Sequence, residues 1–362
     1  MQVQRVRYAD GRISWTVVGD DYLPVEPIQR YLRYCESLEW SPNTIQAYAS
    51  HLKLYWEFLG DKQFNWKEIK DDKIAEFIPW LRQPNPKVVS LQSHESKRSE
   101  STINAILSAV YSFYRFYIRI GEVKDLQLYG TSSYGRKNYK PFLHHITKGK
   151  AVQTRLIKLK EPKKAVQTFT HEQVKALIDN CSNLRDKLLV NLLYETGIRI
   201  GEALGLRHED FKPWDNEIHI LFREDNFNRA RAKNKNCRKI DVSIELMSLY
   251  SDYFMYEYPE DLVTDYVFVN IWGGSIGHPI SYSTVAELFE RLKKKTGIQD
   301  AHPHMFRHTH ATELIESGWD ASLVKERLGH RNIQTTINTY THIRPKALKK
   351  AYQDYLENRD KE

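Results

Sequence analysis

Cysteine is scarce in this chain, with three residues in 362, Cys35, Cys181 and Cys237. Such unrelated positions build neither a disulfide framework nor a Cys-x-x-Cys metal clamp, and they suit a reducing cytoplasm. Long apolar runs are absent as well. None approaches the ~20 residues that span a bilayer, and the N-terminus lacks the apolar core of a signal peptide, so a soluble, unexported protein is expected. An acidic surplus is also missing. The 54 Lys and Arg outnumber the 46 Asp and Glu, giving a formal net charge of +8 and an isoelectric point near 9.1. That balance favours a polyanionic partner. Apolar residues, by contrast, make up 41% of the chain, enough for real cores in two or three domains at this length.

The positive charge is concentrated. Residues 131–170 hold ten Lys or Arg (Arg136, Lys137, Lys140, Lys148, Lys150, Arg155, Lys158, Lys160, Lys163 and Lys164) against one acidic residue, Glu161, so the remainder of the chain is close to neutral. One reading is a solvated linker. The other is a connector that follows phosphates between two DNA-gripping domains, with binding that weakens steeply as salt rises.

Taken in order, the chain opens with QVQRVRYADGRISWTVV, in which apolar and polar residues alternate around Asp10-Gly11, a hairpin signal. The hairpin could form a DNA-contacting arm or pack on the domain that follows. From Val25 to about Gly121 the pattern is helical. Pro27 to Leu38 carries Ile28, Tyr31, Leu32 and Cys35 on one stripe, and Ser41 can cap a helix from Pro42 to Leu59 with Ile45, Tyr48, Leu52, Tyr55 and Trp56 inward. Further helices are expected around Lys73 to Leu81 and Ser101 to Ile120, and Tyr111, Tyr114 and Tyr117 read as core rather than as a base-stacking platform. After the basic stretch, Thr170 and Gln173 form a capping box, and a helix from Asn183 to Tyr194 is buried through Leu184, Leu188, Leu189 and Leu192. The period then changes to two: Glu217 to Phe222, a stretch near Asn228 to Ala232, and Arg238 to Ser243 are expected to form a small antiparallel sheet, with AKNKNCR at its last turn.

Three segments carry chemistry. In LVKERLGHRNIQTTINTYTH two short helices are expected, with Leu323, Val324 and Leu328 on one face of the first, a break at Gly329, and Tyr340 among Thr and Asn residues that point to a surface. A tyrosine hydroxyl titrates near ~10, so a nucleophilic Tyr340 needs cations nearby and an electrophile that those cations polarise. HPHMFRHTHATELIESG places His304 and Arg307 on one helical face after Pro303, and YETGIRIGEALGLRHEDF places Arg199 just past a Gly197 break with Glu202 a turn on. Arginine forks match phosphate oxygens and stay charged, so the set suits a phosphodiester. Two blander readings remain open at this stage. Arg199 and Glu202 have the spacing of an ordinary intrahelical ion pair, and His304 and His308 that of a metal pair, although no third ligand or adjacent glutamate base accompanies them.

The boxes TGIRIGEALGL, HPHMFRHTHAT and LGHRNIQTTINTYTH, in that order, resemble those of tyrosine recombinases, the phage-integrase family, and SPNTIQAYASHL resembles the family's core-binding domain. The YLPVEPIQRYL opening and the FLHHITKGK connector are similar to the transposases of site-specific staphylococcal-type transposons. The resemblance implies a multidomain fold, mainly α with a small antiparallel sheet. The expected parts are a hairpin extension (1–24), an all-α core-binding domain (25–121), a basic connector (122–168), an α/β catalytic domain (169–345) and a helical tail (346–362).

The resemblance also implies roles. Tyr340 is the nucleophile, Arg199 and Arg307 hold the phosphate, Glu202 buttresses Arg199, His304 and His330 assist at the phosphoryl group, and Lys233, with Lys235 as fallback, protonates the leaving 5′ oxygen. His308 is left structural. No cofactor or divalent metal is required, because fixed arginines supply the cationic field. The expected partners are double-stranded DNA, contacted among others by Lys137, Lys148, Lys150 and Arg155, further copies of the chain in a tetramer, and accessory transposition proteins. A nucleoid-associated, cytoplasmic location follows. A type IB topoisomerase, a non-catalytic DNA-binding accessory protein, and a phage or host recombinase share enough of this pattern to stay as alternatives.

Overall fold

A computed structural model of the protein describes residues 1–9, 13–83, 98–124, 126–127, 129–132, 152–162, 166–223, 226–228, 230, 237–260, 264–273 and 275–329. The chain divides into two compact units, Met1–Lys163 and Lys164–Glu362.

In the first unit, strands β1 (Gln2–Arg7) and β2 (Ile13–Val18) pair antiparallel with Gln2 opposite Val18 and Arg7 opposite Ile13. Along β2 the alternate residues Ser14, Thr16 and Val18 are buried and Val17 is fully buried besides, and Tyr8 and Ser14 both donate to the Glu36 carboxylate of α1 (Glu26–Ser37). The hairpin therefore packs on the helical domain. Ser41 caps α2 (Pro42–Lys62), accepting from the Thr44 amide at 3.2 Å, and Ser99 does the same for α4 (Glu100–Arg119); α3 (Asp71–Arg82) lies between them in sequence. Helix α4 is the axis of the core. Its Tyr111, Tyr114 and Tyr117 are at most 2% exposed, and their hydroxyls are used internally: Tyr114 meets Tyr55 at 2.8 Å, and Tyr117 donates to the Pro27 carbonyl at 2.9 Å. A buried phenol needs such a partner, so these rings are core.

The described residues of the basic stretch up to Pro162 pack on this unit. Strands β3 (Tyr129–Ser132) and β4 (Val152–Arg155) pair antiparallel, and beyond them Ile157 and Leu159 pack against the core. Buried Asn104 imitates a strand edge: its Oδ1 accepts from the Leu159 amide and its Nδ2 donates to the Leu159 carbonyl, both at 2.9 Å.

The second unit is built around α6 (Leu184–Thr196), whose Leu188, Leu189, Val190, Leu192 and Leu193 form a broad, fully buried face, while Lys187 and Asn191 on the other side are only partly buried. Packed around this core are α5 (His171–Asp179), opened by the expected Thr170–Gln173 capping box, α8 (Ile244–Tyr256), α9 (Tyr282–Thr296), α10 (Pro303–Glu316) and α11 (Ala321–Leu328). A single turn, α7 (Ile200–Ala203), follows α6. The sheet has the order β5-β6-β7, all antiparallel, from Phe211–Lys212, Glu217–Ile220 and Arg238–Asp241.

Two expectations are corrected. The third strand is β5, because the described residues of the Asn228–Ala232 stretch are not strand. Asparagine side chains there take the partners that a ladder would use: Asn226 donates to the Ala230 carbonyl, and Asn228 donates to the Leu204 and Ile280 carbonyls while accepting from the Ala230 amide. On α11, Val324 and Leu328 are buried, but Leu323 is 52% exposed and lies off their face. The expected second helix of that segment and the helical tail lie outside the described residues. Among the described residues, no helix is long and apolar enough to cross a membrane.

Candidate active site

The site forms where α6 stops. Gly197 ends that helix in the left-handed region, with φ at 61°, and turns the chain so that Arg199 enters α7. A Cβ at Gly197 would lie 2.8 Å from both His310 of α10 and Leu328 of α11, so the turn is pressed against two other helices. The freed Gly197 carbonyl becomes a hydrogen-bond acceptor in the site. Arg307, buried on α10, donates from Nη1 to Gly197 O at 2.8 Å and from Nη2 to Leu328 O at 2.7 Å. One guanidinium thus joins the C-terminal ends of α6 and α11, where unpaired carbonyls favour a cation.

Glu202 is the other organiser. Its side chain is 1% exposed. It accepts the Arg199 amide at 3.0 Å and the Arg199 guanidinium at 3.2 Å, and it is clasped by Arg238 of β7 at 2.8 and 3.3 Å. Burial alone would raise this carboxyl, but Arg238, and behind it the Arg199 amide and guanidinium, outweigh burial and hold it below the usual carboxylate range. Arg199 keeps a partly exposed side chain, at 21%.

His304 stands one turn before Arg307 on α10, its ring 4.9 Å from that of His308 in an edge-on arrangement. Burial, then the His308 ring, the Arg307 guanidinium, His302 and Arg199 push His304 down to about 4, so it is neutral at pH 7. His308 is lowered as well, by burial and by Arg307 and His302. Among the described residues, no group of three or more His, Cys, Asp or Glu is placed to hold a metal. The structure therefore brings together Arg199, Glu202, His304 and Arg307, which the sequence placed in two separate boxes. Lys233, Lys235, His330 and Tyr340 lie outside the described residues. So do Lys137, Lys148 and Lys150. Arg155 is exposed, donates to the Ser108 hydroxyl and lies 5.9 Å over the Tyr111 ring.

A family profile described as "Phage integrase family" matches residues 167–347, and "Phage integrase, N-terminal SAM-like domain" matches residues 28–121. The chain is 42% identical over 362 residues to "Transposase A from transposon Tn554" of Staphylococcus aureus, covering 99% of both chains. The chain belongs to the phage integrase family. A "Tyrosine recombinase XerC" of Staphylococcus epidermidis is 33% identical over 337 residues, covering 91% of this chain and 96% of its own, and the enzyme class is accordingly that of the tyrosine recombinases. Solved structures support the fold of this integrase-family enzyme. The Tn1549 transposon integrase, in complex with a circular intermediate DNA, aligns at a TM-score of 0.61 with 18% identity, over 87% of this chain and 94% of its own. XerH site-specific recombinase bound to difH substrate aligns at 0.58 with 20% identity, over 90% and 84%.

Two residues around this site, Arg238 and Arg327, were not singled out from sequence. Arg238 clasps Glu202 and donates from Nε to the Arg327 carbonyl at 2.9 Å. Arg327 donates from Nε to His310 Nε2 at 3.0 Å, and from Nη2 to the Glu195 and Asp241 carbonyls. A signal for Arg238 existed. In a period-two strand it shares a face with buried Ile240, and an arginine on the inward face needs a carboxylate.

Proposed function

We propose that this recombinase is of the transposon type, cutting and rejoining double-stranded DNA at the ends of a mobile element through a 3′-phosphotyrosyl intermediate. Tyr340 attacks the scissile phosphorus, the new Tyr–O–P bond replaces the bond to the 5′ oxygen, and Lys233 gives that oxygen its proton. Arg199 and Arg307 stabilise the growing charge on the non-bridging oxygens, while His304 and His330 hydrogen-bond the phosphoryl group. The link conserves phosphodiester energy, so a 5′ hydroxyl from a partner duplex reverses the step without ATP. The observation that carries the reading is the convergence of Arg199, Arg307 and neutral His304 around the Gly197 turn, from boxes over a hundred residues apart in the chain. The relatives' printed names, a transposase and a site-specific recombinase among them, point the same way.

Capture on a nicked suicide duplex tests this. Wild type forms a covalent DNA adduct, and Tyr340→Phe and Arg199→Ala do not; an adduct in the phenylalanine variant overturns the nucleophile assignment.

The same reading assigns the phosphates of the DNA backbone to Lys137, Lys148, Lys150 and Arg155, places the protein on the nucleoid, and has the residues after Pro345 join neighbouring protomers head to tail in a tetramer, with accessory transposition proteins as further partners. Truncation after Pro345 is expected to leave DNA affinity unchanged and to abolish pairing of two sites in a gel-shift assay. Unchanged recombination rejects the tail's role.

A further inference from the structure

Buried Glu202 faces two arginines and divides itself unequally between them. Arg238 takes both oxygens, Nη2 to Oε2 at 2.8 Å and Nη1 to Oε1 at 3.3 Å, whereas the Arg199 guanidinium reaches Oε1 alone, at 3.2 Å. Arg238 is itself enclosed, its side chain 9% exposed, and anchored a third time through Nε to the Arg327 carbonyl. Its seat allows little variation. A Cβ at Gly329, where φ is 65°, would lie 2.7 Å from Arg238 Nη1, so the backbone ending α11 comes against the guanidinium where no side chain fits.

We infer that Arg238 is a positioning residue for Arg199: by taking Glu202 into its own two-pronged pair, it prevents the carboxylate from closing on Arg199 and leaves the charge of that guanidinium largely uncompensated and available to a phosphate. The arrangement of two arginines on one carboxylate carries a net positive charge, and that charge resides on the arginine with the weaker grip. Without Arg238 the buried carboxylate has one cation left, and a buried charge draws whatever counter-ion it can reach. Arg199 would then form the fork–fork pair that Arg238 now forms, and its field at the substrate would be largely cancelled. Because Arg238 touches Glu202 and a backbone carbonyl rather than the reacting atoms, its loss acts on the rate of cleavage and not on the grip on DNA. The inference rests on the reading of Arg199 as a phosphate ligand.

The test compares single-turnover covalent-adduct formation, at saturating nicked suicide duplex carrying an end of the mobile element, for Arg238→Met, Arg238→Lys and the double variant Glu202→Gln with Arg238→Met. Each is assayed below its unfolding temperature, with DNA affinity measured in parallel. Arg238→Met is expected to cleave at least ~10-fold more slowly with affinity within about twofold of wild type, the pattern of an interaction that matters in the transition state. Arg238→Lys, keeping the charge but not the fork, falls between. The double variant recovers a substantial part of the lost rate, because a neutral amide no longer captures Arg199. A purely structural role for Arg238 predicts no such rescue among folded variants. If Arg238→Met does not fold, the lysine variant and its Glu202→Gln double take its place under the same criterion. A wild-type rate in the single variant, or a double variant no faster than the single, overturns the inference. An Arg199→Ala protein that still forms adduct instead overturns the phosphate-ligand reading beneath it.

Discussion

Replacing Gly197 with alanine isolates the contact on which the site is built. Two separate costs arise. The first is conformational: a φ of 61° is left-handed, which costs an L-residue about 1–2 kcal/mol. The second is steric, because the new methyl would sit 2.8 Å from a His310 ring carbon and from a Leu328 methyl, with both side chains held in packed helices. Overpacking of this kind costs about 1–3 kcal/mol. The sum is about 2–5 kcal/mol. Gly297 provides the control, since it caps α9 in the same unit with φ at 75° and has nothing within 4 Å of its would-be Cβ. Gly297→Ala therefore bears the conformational cost alone, and the difference between the two variants, about 1–3 kcal/mol, measures the close approach. Urea titration read by hydrogen exchange in peptides from α6 and α10 reports on this unit without assuming that the whole chain unfolds in one step. Gly197→Ala should also slow adduct formation more than its stability loss explains, because the displaced turn carries the carbonyl that holds Arg307. Equal stability of the two alanine variants would refute the reasoning.

Two other perturbations follow from the same kind of geometry. Burial, then Arg327 and Arg307, push His310 down to about 3, although the Tyr194 carbonyl works the other way; the unfolded chain therefore takes up protons first as pH falls, and stability present above about 6.5 is lost progressively toward pH 3. His310→Gln keeps an acceptor for Arg327 and should reduce the slope of unfolding free energy against pH in that window by up to ~1.4 kcal/mol per unit, read by denaturant titration at a series of pH values; an unchanged slope assigns the acid sensitivity elsewhere. Asn104→Ala breaks the strand-like pairing with Leu159 and is expected to cost the first unit about 1–3 kcal/mol, with Asn104→Asp no better because its carboxylate meets the Leu159 carbonyl and Glu161. Exchange in α4 peptides checks both, and wild-type protection would rule out a role for the pairing.

The parts of the molecule that sequence revealed are those whose cause is local. Helix starts at Ser41 and Thr170, the α6 terminus at Gly197, and the buried stripe of α1 each depend on residues within a turn or two, so the spacing of side chains states them directly. The two boxes that supply Arg199, Glu202, His304 and Arg307 were readable for a similar reason, as each is a compact run. The third strand was misplaced because Asn226 and Asn228 satisfy backbone groups on Leu204, Ala230 and Ile280, and no period in the local sequence announces a side chain that substitutes for a strand. Leu323 was misread because a three-residue apolar set on an eight-residue helix does not fix which face is covered. The pairing of Arg238 with Glu202 spans 36 positions. Nothing local says which carboxylate an inward arginine will find.

That non-local charge sets the state in which His304 meets a substrate. Burial, with the neighbouring His308, Arg307, His302 and Arg199, lowers His304, so the imidazole is uncharged and adds nothing to the positive field of the arginines. On the proposed reading of this site, a DNA phosphate would reverse the sign of its surroundings. Its negative oxygens compensate the two guanidinia and attract a proton to the ring, so the affinity of His304 for that proton rises when there is a phosphoryl group to receive a hydrogen bond. A histidine charged in advance would repel the arginines at its side and loosen the Gly197 turn that holds Arg307. On the proposed reading, a His304 that is neutral before DNA binds preserves the packing of the turn that holds Arg307.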